Sequence, residues 1–217
     1  MSWTLVVGAA PVSGCEAFYT SLLAEAPTVV AADAAGEWCA DLGRVPDLVV
    51  GDFDSATAGA AQRLAALGAR VETHAREKDQ TDLELAIDAA RAQRDAPIVL
   101  TCAFSARLDH TLAAVGALTR AGAGARAVEP GWRAWTCAAD APLHLDAPVR
   151  ATLSVMAIGD ARGVSVTGTE WVLEDAALPS LSGWGVSNRT IGGPVSVSCS
   201  AGTLVVLLLE DADAGLY

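Results

Sequence analysis

The chain has 217 residues, enough for one large domain or two small ones, and its 52% hydrophobic and 18% charged residues mark a globular protein and exclude a disordered one. Its formal charge of −12, with Lys78 as the sole lysine, argues against non-specific nucleic-acid binding, which needs clustered Lys and Arg. No apolar run reaches the roughly 18 residues of a membrane helix, and the opening MSWTLVVGAAPVSG lacks a basic region, so the expectation is a cytoplasmic protein without a signal peptide. Cys15, Cys39, Cys102, Cys137 and Cys199 are scattered, with no CxxC pair, and read as small buried hydrophobes in a reducing compartment. His74, His110 and His144 are too dispersed for a histidine-rich metal site.

Short apolar runs open the chain: WTLVVG (3–8), PTVVAA (27–32), DLVVG (47–51), ARVETH (69–74) and PIVLTC (97–102). Alanine-rich helical stretches such as TAGAAQRLAALG (57–68) and DLELAIDAARAQ (82–93) lie between them. Strands alternating with helices imply βαβ units, hence a parallel sheet flanked by helices. After about residue 130 helical periodicity fades, and alternating runs follow: ATLSVMAI (151–158), GVSVTG (163–168), TEWVLED (169–175), PVSVSCS (194–200) and TLVVLLLE (203–210). These predict an antiparallel sandwich or barrel. The segment 122–140 reads as the join, and the expected division is an α/β domain over 1–128 and an all-β sandwich over 129–217.

In open parallel sheets, ligands bind outside the carboxyl ends of the strands. Polar residues stand at those ends: Asp33 after the second run, Asp52, Asp54 and Ser55 after the third, Lys78, Asp79, Thr81 and Asp82 after the fourth, and Arg107, Asp109 and His110 after the fifth. Taken singly, each acid reads as structural. Asp33, Asp54 or Ser55, and Asp109 are helix-cap candidates, and Asp79 with Asp82 fits a capping-box-like pattern. Taken together they ask for more. Caps need one acid per helix, whereas Asp52 and Asp54 are two apart and share a side if the chain is extended. Several carboxylates at one rim need a cation among them, and magnesium favours carboxylate and phosphate oxygens. Arg107 and Lys78 would hold phosphate. This set implies phosphoryl or diphosphoryl transfer, or phosphate-ester hydrolysis. Neither GxxxxGK[ST] nor GxGxxG is present, which excludes a P-loop kinase and an ordinary dinucleotide dehydrogenase.

The stretches PDLVVGDFDS (46–55), EKDQTDLELA (77–86), RLDH (107–110) and the later Ser187–Asn188 resemble the thiamine pyrophosphokinase family, in order and over nearly the whole chain. The resemblance implies transfer of a diphosphate from ATP to thiamine, magnesium dependence, and a homodimer with active sites between subunits. It implies Asp52, Asp54 and Asp82 as catalytic residues and magnesium ligands. Asp33, Lys78, Asp79, Thr81, Arg107, Asp109 and His110 would serve ATP and its phosphates, and Ser187 and Asn188 thiamine. Trp184 is a candidate to face the thiazolium, or else a core residue. The chain departs from the family's glycines at Ala34–Ala35, at Ser105–Ala106 and partly at GAAP after the first run, which bears on backbone approach to phosphate. Open alternatives are a diphosphokinase for another alcohol such as a pterin, a non-catalytic thiamine or nucleotide binder, and a nucleotide phosphohydrolase.

Overall fold

The computed structural model describes residues 2–93, 96–122 and 124–209, in two compact units that divide between 122 and 123. In unit 1 the strands are β1 (Thr4–Val7), β2 (Thr28–Ala32), β3 (Leu48–Gly51), β4 (Arg70–Thr73) and β5 (Ile98–Thr101). They pair in parallel in the order β5-β1-β2-β3-β4. Every residue of β1, β3 and β5 is buried, as expected of short apolar strands covered on both faces. The covering helices are α1 (Glu16–Glu25), α2 (Ala35–Asp41), α3 (Ala60–Ala66), α4 (Asp82–Gln93) and α5 (Leu108–Arg120). The chain winds outward from β1 to β4 and then returns to the other side of β1. The strand order therefore reverses between β1 and β5, the place where such sheets open a crevice.

Unit 2 is antiparallel, in the order β10-β9-β11-β8-β12-β7-β6. Its strands are β6 (Arg126–Glu129), β7 (Trp132–Ala138), β8 (Leu143–Ala157), β9 (Ala161–Thr167), β10 (Leu173–Leu178), β11 (Asn188–Ser198) and β12 (Thr203–Leu209). The amino-terminal part of β8 pairs with β11, and its carboxyl part also pairs with β12. Side chains from both stretches, including Leu153, Val155, Val195, Val197, Val206 and Leu208, share one buried cluster, the core of the sandwich.

Three expectations change in detail. The segment 122–140 is more than a join: β6 and β7 form a hairpin there, closed at Glu129 and Trp132 across Gly131 in a left-handed conformation. Arg126, Glu129 and Pro130 break the apolar pattern and hide these strands from periodicity. The run 169–175 is a strand only from Leu173 onward, because Thr169–Val172 forms a loop bridged to Thr190. Strands β8 and β11 begin at 143 and 188, well before the apolar stretches at 151 and 194.

Glu37 ties α2 to the approach of α3. Its carboxylate accepts the Thr57 hydroxyl at 2.7 Å and the Thr57 N–H at 2.9 Å, and it pairs with Arg63. The Thr57 hydroxyl leads in holding the Glu37 carboxyl below its ordinary range. A carboxylate with a depressed folded pKa adds stability above the unfolded value of about 4.3, and that stability is lost as pH falls through the folded value. Glu37→Gln is expected to cost about 1 kcal/mol at neutral pH, with the gap to wild type closing at lower pH. Urea melts at pH 7 and in the acid range check this; a gap independent of pH contradicts it.

Candidate active site

A cavity of about 980 Å³ opens at the carboxyl ends of the unit 1 strands. Gly8, Ala9 and Ala10 after β1 and Cys102 and Ala103 after β5 line it, so it includes the crevice at the strand-order reversal. These two strand ends are tied together: Gly8 N–H donates to the Thr101 carbonyl at 2.9 Å and Ala10 N–H to the Cys102 carbonyl at 2.8 Å. A Cβ on Gly8 would stand 2.4 Å from the Cys102 oxygen, so the position admits only glycine. Of the residues expected in this half, Asp33, Asp52, Asp54, Lys78, Thr81, Asp82, Arg107, Asp109 and His110 line the cavity. Asp79 is exposed and is not among the lining residues.

Asp33, Asp52 and Asp82 converge, each offering a carboxylate oxygen within 4.8 Å of the others. Asp33 is no cap: Ala34 precedes α2, and no side chain there bonds the helix. Asp33 instead adopts φ +49, an uncommon conformation that Asp tolerates better than most residues. Its N–H stays on the ladder, donating to the Val50 carbonyl at 2.9 Å. Only 5% exposed, it accepts the Ser55 hydroxyl on Oδ2, while Oδ1 is buried and lacks a hydrogen-bond partner among the described residues. A buried carboxylate with one orphaned oxygen, converging with two further carboxylates, is unfavourable unless a cation completes it. The donor set is all oxygen and hard, which suits a divalent cation such as magnesium.

Asp54 is not part of this cluster. Phe53 adopts φ +60, so the chain hooks between Asp52 and Asp54 instead of running extended. The hook is closed by the Asp54 N–H, which donates to Asp52 Oδ1 at 3.1 Å. The Asp54 carboxylate meets Arg76 at 3.1 Å on the cavity wall.

Lys78 occupies the middle of the acidic group. Its Nζ lies 2.6 Å from Asp52 Oδ2 and 3.0 Å from Asp82 Oδ1, with its side chain 15% exposed. Partial withdrawal from water pulls its pKa down, but the bonds and charges of Asp52 and Asp82 outweigh this and leave it raised. In turn the Lys78 hydrogen bond, then the Asp54 N–H, holds the Asp52 carboxyl below its ordinary range. Asp82 is free to face inward because the capping box of α4 is Thr81 with Glu84, not Asp79 with Asp82. The Glu84 carboxylate accepts the Thr81 N–H at 3.0 Å, and the Thr81 hydroxyl accepts the Glu84 N–H at 3.3 Å.

On the opposite wall Arg107 and Asp109 form a forked pair, Nε to Oδ1 at 3.2 Å and Nη2 to Oδ2 at 2.6 Å. Arg107, helped by the His110 N–H, brings the Asp109 carboxyl down to about 2. Asp109 sits in the first turn of α5 but does not cap it; Arg107 holds the cap position without a side-chain bond. The loop ahead is fixed by Ser105, whose Oγ accepts the Arg107 N–H and whose carbonyl accepts the Thr111 hydroxyl at 2.8 Å. None of Ala9, Ala10, Ala34, Ala35, Ser105 and Ala106 has positive φ, so glycine is not required at these positions for backbone conformation.

In unit 2, Ser187 is exposed with φ +61, and its N–H donates to Ser154 Oγ at 3.1 Å. The Asn188 side chain is a clamp: it donates to the Trp171 carbonyl at 2.6 Å and accepts the Trp171 N–H at 3.1 Å. It thereby fixes a loop whose indole is 60% exposed. Trp184 is 74% exposed, which removes the reading of it as a core residue. Sequence reasoning missed Ser55 as a partner of Asp33, Arg76 as a partner of Asp54, and Trp171. Only Ser55, in the GDFDS stretch, carried a local signal.

Two family profiles match the chain: "Thiamin pyrophosphokinase, catalytic domain" over residues 19–128 and "Thiamin pyrophosphokinase, vitamin B1 binding domain" over 143–204. Among solved structures, the thiamine pyrophosphokinase of Bacillus subtilis is 23% identical, with a TM-score of 0.79 over 96% of this chain and 99% of that one. The Geobacillus thermodenitrificans enzyme is also 23% identical, with a TM-score of 0.79 over 98% and 100%. The Candida albicans enzyme is 12% identical, with a TM-score of 0.76 over 96% and 89%. No curated protein matches the chain.

Replacing Asp33 by asparagine keeps an acceptor for Ser55 and removes one of three crowded charges. Asp33→Asn is therefore expected to raise the stability of the metal-free protein by on the order of 1 kcal/mol. It should weaken Mn²⁺ binding at least about tenfold. Thermal melts with and without Mn²⁺ check both. A less stable variant with unchanged metal binding contradicts the geometry.

Proposed function

The chain belongs to the thiamin pyrophosphokinase family, whose members transfer a diphosphate from ATP to thiamine, and from that premise we propose how its own residues divide the work. ATP binds in the cavity of unit 1, the α/β domain proposed to run over 1–128. Asp33, Asp52 and Asp82 hold a magnesium ion there. An ATP-using family is consistent with a divalent cation, and these oxygens fit magnesium. When bound, magnesium neutralises phosphate oxygens and favours in-line displacement. Arg107 offers a planar fork for phosphate on the far wall, and the Arg107–Asp109 pair keeps it extended and charged. Thr81 and His110 line the same space and supply polar contacts to the nucleotide. Asp79 is assigned no direct contact.

The primary hydroxyl of thiamine attacks the β-phosphorus. The bond to the α-phosphate oxygen breaks, AMP leaves, and thiamine diphosphate remains. The hydroxyl proton passes to a carboxylate, for which we assign Asp54: it lines the cavity but lies outside the Lys78-held cluster. Thiamine is carried by the sandwich domain, proposed as 129–217, with Ser187 and the Asn188-clamped loop shaping its pocket. We assign a homodimer that completes these pockets. The support is the set of apolar side chains that unit 2 exposes, among them Trp171, Trp184, Val186 and Ile191. A cytoplasmic location is proposed on the five scattered cysteines, which form no CxxC pair. Among the described residues no helix is long and apolar enough to cross a membrane.

The observation that carries this reading is the buried Asp33 carboxylate, which converges with Asp52 and Asp82 and whose Oδ1 has no hydrogen-bond partner among the described residues. The test is AMP release from ATP and magnesium with and without thiamine. AMP is expected only with thiamine, matched by thiamine diphosphate. Asp52→Asn should lower kcat/KM by at least about 100-fold, roughly 2.7 kcal/mol. AMP or ADP released equally without thiamine would point to a phosphohydrolase. Turnover of a pterin alcohol in preference to thiamine would reassign the acceptor.

A further inference from the structure

Lys78 holds the oxygens that a metal would need. Its ammonium contacts Asp52 and Asp82, two of the three carboxylates that converge with Asp33. A cation bound to those oxygens and an ammonium 2.6 Å and 3.0 Å from them would stand against each other at close range. One must leave. Asp82 opens α4 and Asp52 follows β3, so both are anchored by the fold, and Lys78 has a flexible four-carbon stem. Lys78 is the mobile member. The cavity it lines extends to the Arg107 wall, so a displaced ammonium has room to turn into the space proposed for phosphate.

We propose that Lys78 is an exchangeable counter-ion that makes metal entry conditional on the nucleotide. The inference rests on the proposed metal–ATP site. Without nucleotide, Lys78 offsets part of the repulsion among the three carboxylates and competes with a free divalent ion. A metal–nucleotide complex brings its own anionic oxygens, so the ammonium released from Asp52 and Asp82 gains a new partner as the metal takes its place. Metal and nucleotide are thereby coupled through one side chain. Lys78 is a positioning residue for the metal and a binding residue for phosphate, in alternate states.

The test compares wild type, Lys78→Gln and Lys78→Arg by calorimetry and Mn²⁺ electron paramagnetic resonance, with Mn²⁺ alone and with Mn²⁺ plus α,β-methylene-ATP. Lys78→Gln is expected to bind free Mn²⁺ at least about tenfold more tightly than wild type and the Mn²⁺–analogue complex at least about tenfold more weakly. Lys78→Arg, which keeps the charge, should bind free Mn²⁺ as weakly as wild type and stays informative if Lys78→Gln needs metal to fold. Equal free-Mn²⁺ affinity in all three proteins, with the complex still bound, would overturn the counter-ion role and leave the metal–ATP site standing. Failure of wild type to bind the complex would overturn the site and the inference with it.

Discussion

Three carboxylates drawn to one rim repel one another, and the surrounding structure is arranged around that repulsion. Asp33, Asp52 and Asp82 come from three different strand ends, held within 4.8 Å by backbone that does not yield easily. In the protein alone, Lys78, the Ser55 hydroxyl and the Asp54 N–H offset part of the crowding. That leaves Asp33 Oδ1 unanswered, a local instability that a ligand cation would relieve. Stability given up at a site is a common signature of binding, and Asp33 Oδ1 is an identifiable atom of it here.

The rim is built from strained backbone. Among the described residues of unit 1, the non-glycine residues with positive φ are Asp33, Phe53 and Cys102, each just beyond a strand of the sheet. Asp33 turns its carboxylate inward, Phe53 hooks the chain between Asp52 and Asp54, and Cys102 presents a carbonyl that ties the β1 and β5 ends. Gly51 permits the first of these, since a Cβ there would stand 3.0 Å from Asp33 Cα. Such outliers persist only where the surroundings over-determine them. The buried parallel strands behind them supply that rigidity.

The parallel sheet was legible in the sequence because fully buried short strands leave continuous apolar runs between turns, as in DLVVG and PIVLTC. Strands β6 and β7 were not, because a hairpin rich in Arg, Trp and small residues does not alternate cleanly. The acids were visible as a set, since Asp33, Asp52 and Asp82 each follow an apolar run. Their grouping was not. Spacing alone pairs Asp52 with Asp54, whereas in the fold Asp33 is the third member with Asp52 and Asp82, and Asp54 forms an ion pair with Arg76. The position of Lys78 between Asp52 and Asp82 is likewise a tertiary fact, although the Lys78–Asp82 spacing of one helical turn was available. The absent glycines proved harmless to the backbone, because Ala34 and Ser105 adopt ordinary conformations.

The central claim is that Asp33, Asp52 and Asp82, with Lys78 displaced, form a divalent-cation site that receives the phosphates of ATP. Anomalous diffraction at the manganese edge, from crystals grown with Mn²⁺ and α,β-methylene-ATP, tests it most directly. The account predicts a manganese peak contacting Asp33 Oδ1 and at least one oxygen of Asp52 or Asp82, with the Lys78 ammonium turned onto phosphate oxygen. A peak held by Asp54 and phosphate alone, with Lys78 still bridging Asp52 and Asp82, would contradict it.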